Sequence, residues 1–175
     1  MANPKLLFSR EEMTKMNIET LKQRGVSIDE IALISFNQQS KYTKDVSMDV
    51  CVESVIKVLS YRDIFHHVQL GAEIDRLTEE KLFKGPIQDI LYHDLGLFGI
   101  DEVLGLDISG IYGVIGKTNF GDVDINKPGI VDKLNEEGKK EGHCHTFMDD
   151  IVGAIAAAAS TRVAQVMNEE LAKNK

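Results

Sequence analysis

The stretch Ile151-Val-Gly-Ala-Ile-Ala-Ala-Ala-Ala-Ser160 is apolar on every side of a helix and built almost entirely from small residues. A helix without a polar face has to be enclosed by other protein or by lipid. A membrane span needs an uncharged run of ~18 or more residues, and Asp149, Asp150 and Arg162 bracket this one. The segment is therefore expected at the centre of a helical bundle, its small side chains letting neighbouring backbones come close. Thr146-Phe-Met-Asp149 reads as the cap at its start.

The rest of the chain supplies helices to surround it. Ser9-Arg-Glu-Glu12 and Ser27-Ile-Asp-Glu30 read as capping boxes, and Gly25 closes the first helix. Met48, Cys51, Val52, Val55, Ile56 and Leu59 recur at helical spacing over 47–59. Ser60-Tyr-Arg-Asp63 reads as the cap of a fourth helix reaching about Leu82, with apolar stripes on two sides and Gly71 admitting a close neighbour. Beyond Pro86, helices fit 87–93, 100–115 and a segment opened by Pro128, with 118–126 read as a polar-rimmed loop. No alternating strand pattern occurs. The expected architecture is all-α, one domain over residues 1–175, with a helical half at 1–88 and an acidic, glycine-rich half at 89–160. Two cysteines and an N-terminus without a long apolar run suit a reducing cytoplasm. The uniformly apolar second and fourth helices suggest a homo-oligomer.

Charge separates the two halves. Residues 1–88 carry 12 basic and 13 acidic side chains, and residues 151–175 carry 3 and 2. Residues 89–150 carry 5 and 13, so the whole net charge of −8 sits there. Such a segment repels nucleic acid. Three motif-like stretches in or beside it do not hold. Ile111-Tyr-Gly-Val-Ile-Gly116-Lys117-Thr118 lacks the first glycine and the preceding strand of a phosphate-binding loop. Asp122-Val-Asp124-Ile-Asn126 is followed by Lys127 where a calcium loop needs glycine. His143-Cys144-His145 has no companion pair at zinc spacing and reads as a polar turn.

Asp101-Glu102 in FGIDEVLGL, Asp149-Asp150 in HTFMDDIVGAI, and Asp124 near Lys127-Pro128 are acids in apolar settings. Acids in a first turn suit the helix dipole, and a cap explains one member of each pair. The other has to point elsewhere, and charges beside a core are paired with cations. Bases are scarce in this segment, so a divalent metal is the alternative partner. Hard oxygen ligands favour Mg²⁺, or Mn²⁺, over zinc.

Three short elements, Asp101-Glu102-Val-Leu-Gly105, Asp124-Ile-Asn-Lys127-Pro128 and Asp149-Asp150-Ile-Val-Gly-Ala, follow one another over about 60 residues. In order and spacing they resemble the D-E-x-x-G, D-x-x-K-P and D-D-I-V elements of the phosphatidylglycerophosphatase A family. Residues 1–90 resemble the N-terminal half of its compact branch without membrane spans. The glycine-rich P-G-T-x-G-S-L stretch of the membrane-bound members has no counterpart here. The resemblance implies a Mg²⁺-dependent hydrolase that converts phosphatidylglycerophosphate to phosphatidylglycerol, met at the membrane surface by a cytoplasmic or peripheral protein. On that reading Asp101, Glu102, Asp149 and Asp150 hold the metal. Asp124, Lys127 and Asp150 act on the phosphomonoester, with Thr118 or Asn119 donating from the loop. A phosphatase for a soluble phosphomonoester, or a non-catalytic oligomeric protein keeping only the fold, are the alternatives.

Overall fold

Ser9 and Ser27 each accept the backbone N–H three residues on, while Glu12 and Glu30 bond back to the serine amides, so both expected capping boxes form. They open α1 (Arg10–Gln23) and α2 (Ile28–Gln39) of the computed structural model, which describes residues 7–96 and 98–173. The reading of the N-terminus falls on residues 1–6 and lies outside those described. The remaining helices are α3 (Met48–Leu59), α4 (Arg62–Glu79), α5 (Pro86–Tyr92), α6 (Ile100–Gly110), α7 (Gly113–Asn126), α8 (Ile130–Gly138) and α9 (Met148–Lys173). No strand occurs among the described residues.

α9 is the axis of an all-α bundle. Every residue from Met148 to Thr161 is buried, and α2, α3, α6, α7, α8 and α4 pack around it. Its small residues and the glycines facing it set the spacing. A Cβ on Gly71 would run into the Ile151 side chain, and one on Gly153 would press Val123 at 3.0 Å. Because the helix has no polar face, its few polar atoms are met from neighbours. Ser35 Oγ donates to the Ala156 carbonyl at 2.8 Å, Gln39 Nε2 to Ser160 Oγ at 2.9 Å, and Asn119 Nδ2 to Thr161 Oγ1 at 3.0 Å.

Several local expectations are corrected. Ser60 ends α3 by donating to the Lys57 carbonyl, and α4 starts without a side-chain cap. Only one stripe of α4 is buried (Ile64, Val68, Ala72), and Leu70 is 54% exposed. Residues 118–126 are helical rather than loop: α6 stops at Gly110, and α7 runs on through them because Phe120 and Val123 are buried against α9. Pro128 lies two residues before α8, whose N-cap is Gly129. Thr146 does not cap α9; its hydroxyl donates to the Leu91 carbonyl at 2.7 Å.

Candidate metal centre

Each acidic pair opens a helix, and the first acid of each spends one oxygen locally. Asp101 Oδ1 accepts the Glu102 amide at 3.1 Å, and Asp149 Oδ1 accepts the Asp150 amide at 2.9 Å. Gly99 enters α6 with a left-handed φ of 65°, a conformation glycine takes without a Cβ clash, and this turn places both acids in the first turn.

The bundle then brings the two pairs together. One carboxylate oxygen from each of Asp101, Glu102 and Asp150 lies within 4.8 Å of the other two. Glu102 Oε2 is buried and has no hydrogen-bond partner. An ionised carboxylate oxygen in that state is costly unless a cation meets it. Burial, reinforced by Glu102, pushes the Asp101 carboxyl up to about 8. Burial and the neighbouring Asp149 push Asp150 up to about 9. Three converging hard oxygens, one of them orphaned, fit a small divalent cation.

Lys127 closes the other side. It ends α7 in a left-handed conformation, φ 41° and ψ 59°, where glycine or asparagine is usual. Its Nζ donates to Asp124 Oδ1 at 2.9 Å, Asp149 Oδ2 at 3.0 Å and Asp150 Oδ1 at 3.4 Å. Burial opposes its charge, but Asp149, Asp124 and Asp150 outweigh that and raise its pKa. Burial raises the Asp149 carboxyl to about 6 against the pull of Lys127. The structure thus gathers all five sequence-read acids and the lysine. Asp101, Glu102 and Asp150 form the tight cluster, while Asp124 and Asp149 meet Lys127. Thr118 and Asn119 are not loop donors: they bond to the Val114 carbonyl and to Thr161.

Sequence reasoning passed over the second layer. Asp75 of α4, fully buried, accepts the Phe147 and Met148 amides and so caps α9 from another helix. Its place on the stripe of Val68 and Ala72 was the available signal. His143-Cys144-His145 is more than a polar turn, since Cys144 and His145 are both buried. Arg24 forms a two-pronged pair with Glu79 at 2.9 Å for each prong, and its Nη2 reaches His145 Nδ1 at 3.1 Å. Beside Asp149 opens a cleft of about 580 Å³ bordered by Lys81, Tyr92, Asp94, Lys139, Lys140 and His145.

The family model for phosphatidylglycerophosphatase A matches residues 28–165, a stretch containing every residue of the cluster and Lys127. The chain belongs to the phosphatidylglycerophosphatase A family. Among relatives, it is 47% identical to the uncharacterized protein YutG of Bacillus subtilis, covering 90% of this chain and 96% of that one. It is 44% identical to the uncharacterized protein YpjQ of the same organism, over 90% of this chain and 87% of YpjQ. Among solved structures, the low temperature requirement C protein of Listeria monocytogenes matches with a TM-score of 0.85 at 42% identity, over 89% of this chain and 97% of that one. Within this phosphatidylglycerophosphatase A fold, no helix among the described residues is long and apolar enough to cross a membrane.

Proposed function

We propose that the chain is a Mg²⁺-dependent phosphomonoester hydrolase that acts on phosphatidylglycerophosphate at the membrane surface, with Mn²⁺ as the alternative metal. The observation that carries this reading is the orphaned Glu102 Oε2 inside a three-carboxylate cluster, within the span matched by the family model. Asp101, Glu102 and Asp150 would hold the metal, with Asp149 beside them. When bound, it supplies positive charge against the phosphate oxygens and makes an acidic site accept a dianionic group.

The chain's own residues do the rest. Lys127 stands between Asp124 and the Asp149–Asp150 pair and offers a point charge to a phosphate oxygen. Asp124 is the most open of its three partners, with a side chain 31% exposed against 6% and 5%. It is the group placed to take a proton from an attacking water as the ester oxygen leaves. Asp149 holds Lys127 and, through the Asp150 amide, the first turn of α9.

The test is phosphate release from phosphatidylglycerophosphate, glycerol phosphates and an aryl phosphate, with Mg²⁺ and with chelator. Phosphate release from the lipid that requires metal and disappears in Asp150→Asn supports the reading. Release unchanged in Asp150→Asn, or no release from any of the three, overturns it.

A further inference from the structure

α6 packs along one side of α7, and Gln38 of α2 bonds to Asn119 and Asp122 on the other. Phe120 and Val123 face inward, while the outward side has no partner among the described residues: Val114 is 79% exposed and Ile125 81%. Val114, Thr118, Gly121 and Ile125 follow one another at intervals of four, three and four residues, the spacing of a helix–helix seam. Thr118 is exposed, and no described atom lies within 4 Å of where a Gly121 Cβ would stand. α2 and α4, by contrast, each expose one large apolar side chain, Leu33 and Leu70.

The seam reads alike in both directions. About a midpoint between Asn119 and Phe120, Val114 mirrors Ile125 and Thr118 mirrors Gly121. A second α7 laid antiparallel across it by a two-fold axis sets Val114 of each copy against Ile125 of the other. The backbones come closest at Thr118 and Gly121, where the side chains are smallest. An isologous interface between identical chains requires this self-complementarity. A bilayer fits the face less well, since residues 89–150 carry the whole net charge of −8 and anionic lipid repels them.

Charge fits the same arrangement. Lys117 and Asp124 share one flank of the seam, two turns and about 10 Å apart, and a two-fold axis sets that flank against its own copy. Within one chain Lys117 runs along α6, its Cε 2.8 Å from where a Gly110 Cβ would stand, at the opposite end of α6 from Asp101 and Glu102. Across the axis, the partner subunit's Lys117 comes within about 3 Å of the level of Asp124 along the helix. Asp124 is the most open of the acids around Lys127. Asp122, on the other flank, is held in its own chain by Gln38 and Asn126.

We propose that the chain forms a two-fold dimer through α7, in which the partner subunit's Lys117 meets Asp124 and adds a second cation beside Lys127. Each centre is then completed by the other copy, and a phosphomonoester there meets two ammonium groups instead of one. That last step rests on the proposed function. The dimer does not, and it is measured without turnover.

Sedimentation equilibrium of the full chain is expected to give twice the 19.5 kDa of one copy, with a dissociation constant at least tenfold weaker in Gly121→Arg. That position is helical and open, so arginine blocks the approach of a second helix without crowding its own chain. Val114→Cys and Ile125→Cys chains test the direction of packing: under mild oxidant they are expected to crosslink when mixed, and neither with itself. The native Cys51 and Cys144 are buried and do not compete. A wild-type monomer at the highest soluble concentration, an undiminished dimer in Gly121→Arg, or self-crosslinking of either cysteine variant overturns the proposal. A monomer that floats with phosphatidylglycerol–phosphatidylcholine vesicles overturns it in favour of a bilayer.

The shared centre is tested by mixing Lys117→Ala and Asp124→Asn chains, each expected to release phosphate at least tenfold more slowly than wild type. Half the dimers are then mixed, and one of their two centres is whole, so mixing is expected to restore about a quarter of the wild-type rate. No recovery on mixing, while the wild type dimerises and turns over, overturns the shared centre. A dimer with the expected crosslinks, but without Mg²⁺-dependent phosphate release from any ester, upholds the α7 interface and removes the phosphatase reading.

Discussion

The Asp75 carboxylate on α4 accepts the backbone N–H of Met148 at 3.0 Å, so the helix carrying Asp149 and Asp150 is capped by a residue far away in sequence. The Phe147 amide reaches the same carboxylate, at 3.1 Å to one oxygen and 3.3 Å to the other. Asp75→Ala leaves two buried amides without an acceptor, at about 1–3 kcal/mol each if nothing replaces it. Asp75→Asn keeps one acceptor oxygen and no charge. Urea unfolding is expected to show a loss of about 2–4 kcal/mol for alanine and under about 1 kcal/mol for asparagine. Equal losses would show that the cap is not what Asp75 supplies.

The raised carboxyls set a pH dependence. Burial lifts Asp75 to about 8, Asp101 to about 8 and Asp150 to about 9 in the folded chain, against ~3.9 for an unfolded aspartate. Between those values the native state binds more protons than the unfolded one. The sign is therefore fixed: this contribution is complete below about pH 4 and is lost as pH rises through 8–9. Without metal, the melting temperature is expected to fall by at least about 5 °C from pH 6 to pH 9, since one carboxyl at about 8 already loses ~2–3 kcal/mol over that window. On the proposed reading Mg²⁺ takes ionised ligands, so its addition is expected to stabilise the chain increasingly over the same range. A metal-free midpoint that rises with pH across that window contradicts the assignment.

The same residues mark what could and could not be read from the chain. The capping boxes at Ser9 and Ser27 are local and formed as read, and the small-residue run at 151–160 made α9 the axis, because a helix without a polar face has no other place. The polar residues of 118–126 made that segment read as a rimmed loop, yet it lies in α7, where the buried Phe120 and Val123 decide the conformation. Tertiary packing there overrides propensity. The acids of the centre were visible as motifs. Which oxygens converge was not, since Asp101 and Asp150 meet only once α6 packs on α9. Arg24 and His145 act across separations that carry no local signal, and the stripe that holds Asp75 tells of its burial but not of the amides it caps.

Gly105, the last residue of the Asp101-Glu102-Val-Leu-Gly105 element, is a packing position. A Cβ there would strike the Phe120 ring from α7. A phenyl ring wedged between α6 and α9 cannot turn aside as a flexible chain end would. Alanine offers about 1 kcal/mol of helix propensity, against an overpacking cost of about 1–3 kcal/mol. Gly105→Ala is expected to lower stability by up to about 2 kcal/mol and to reduce the melting shift that the proposed Mg²⁺ site would give, because α6 carries Asp101 and Glu102. Differential scanning calorimetry with and without Mg²⁺ measures both, and an unchanged metal shift would separate Phe120 packing from the centre.

Lys127 combines a strained backbone with three carboxylate partners, and two substitutions pull these apart. Lys127→Met removes the ammonium and leaves Asp149 and Asp150, both nearly buried, without their cation. Breaking a buried pair costs about 3–5 kcal/mol. Lys127 is partly open to solvent, its side chain 27% exposed, so about 2–3 kcal/mol is expected at pH 8. At pH 6 the loss shrinks, because Asp149, lifted to about 6, is then half protonated, whereas Asp150, lifted to about 9, holds its proton at both pH values. Lys127→Gly loses the same charge but relieves the left-handed backbone, and should lie about 1 kcal/mol above the methionine variant. Saturating Mg²⁺ should return part of the stability in both, since a divalent cation serves the carboxylates the lysine has left. Chemical denaturation at the two pH values, with Mg²⁺ and with chelator, reads all of this. Losses that ignore both pH and metal would place Lys127 outside the electrostatics of the centre.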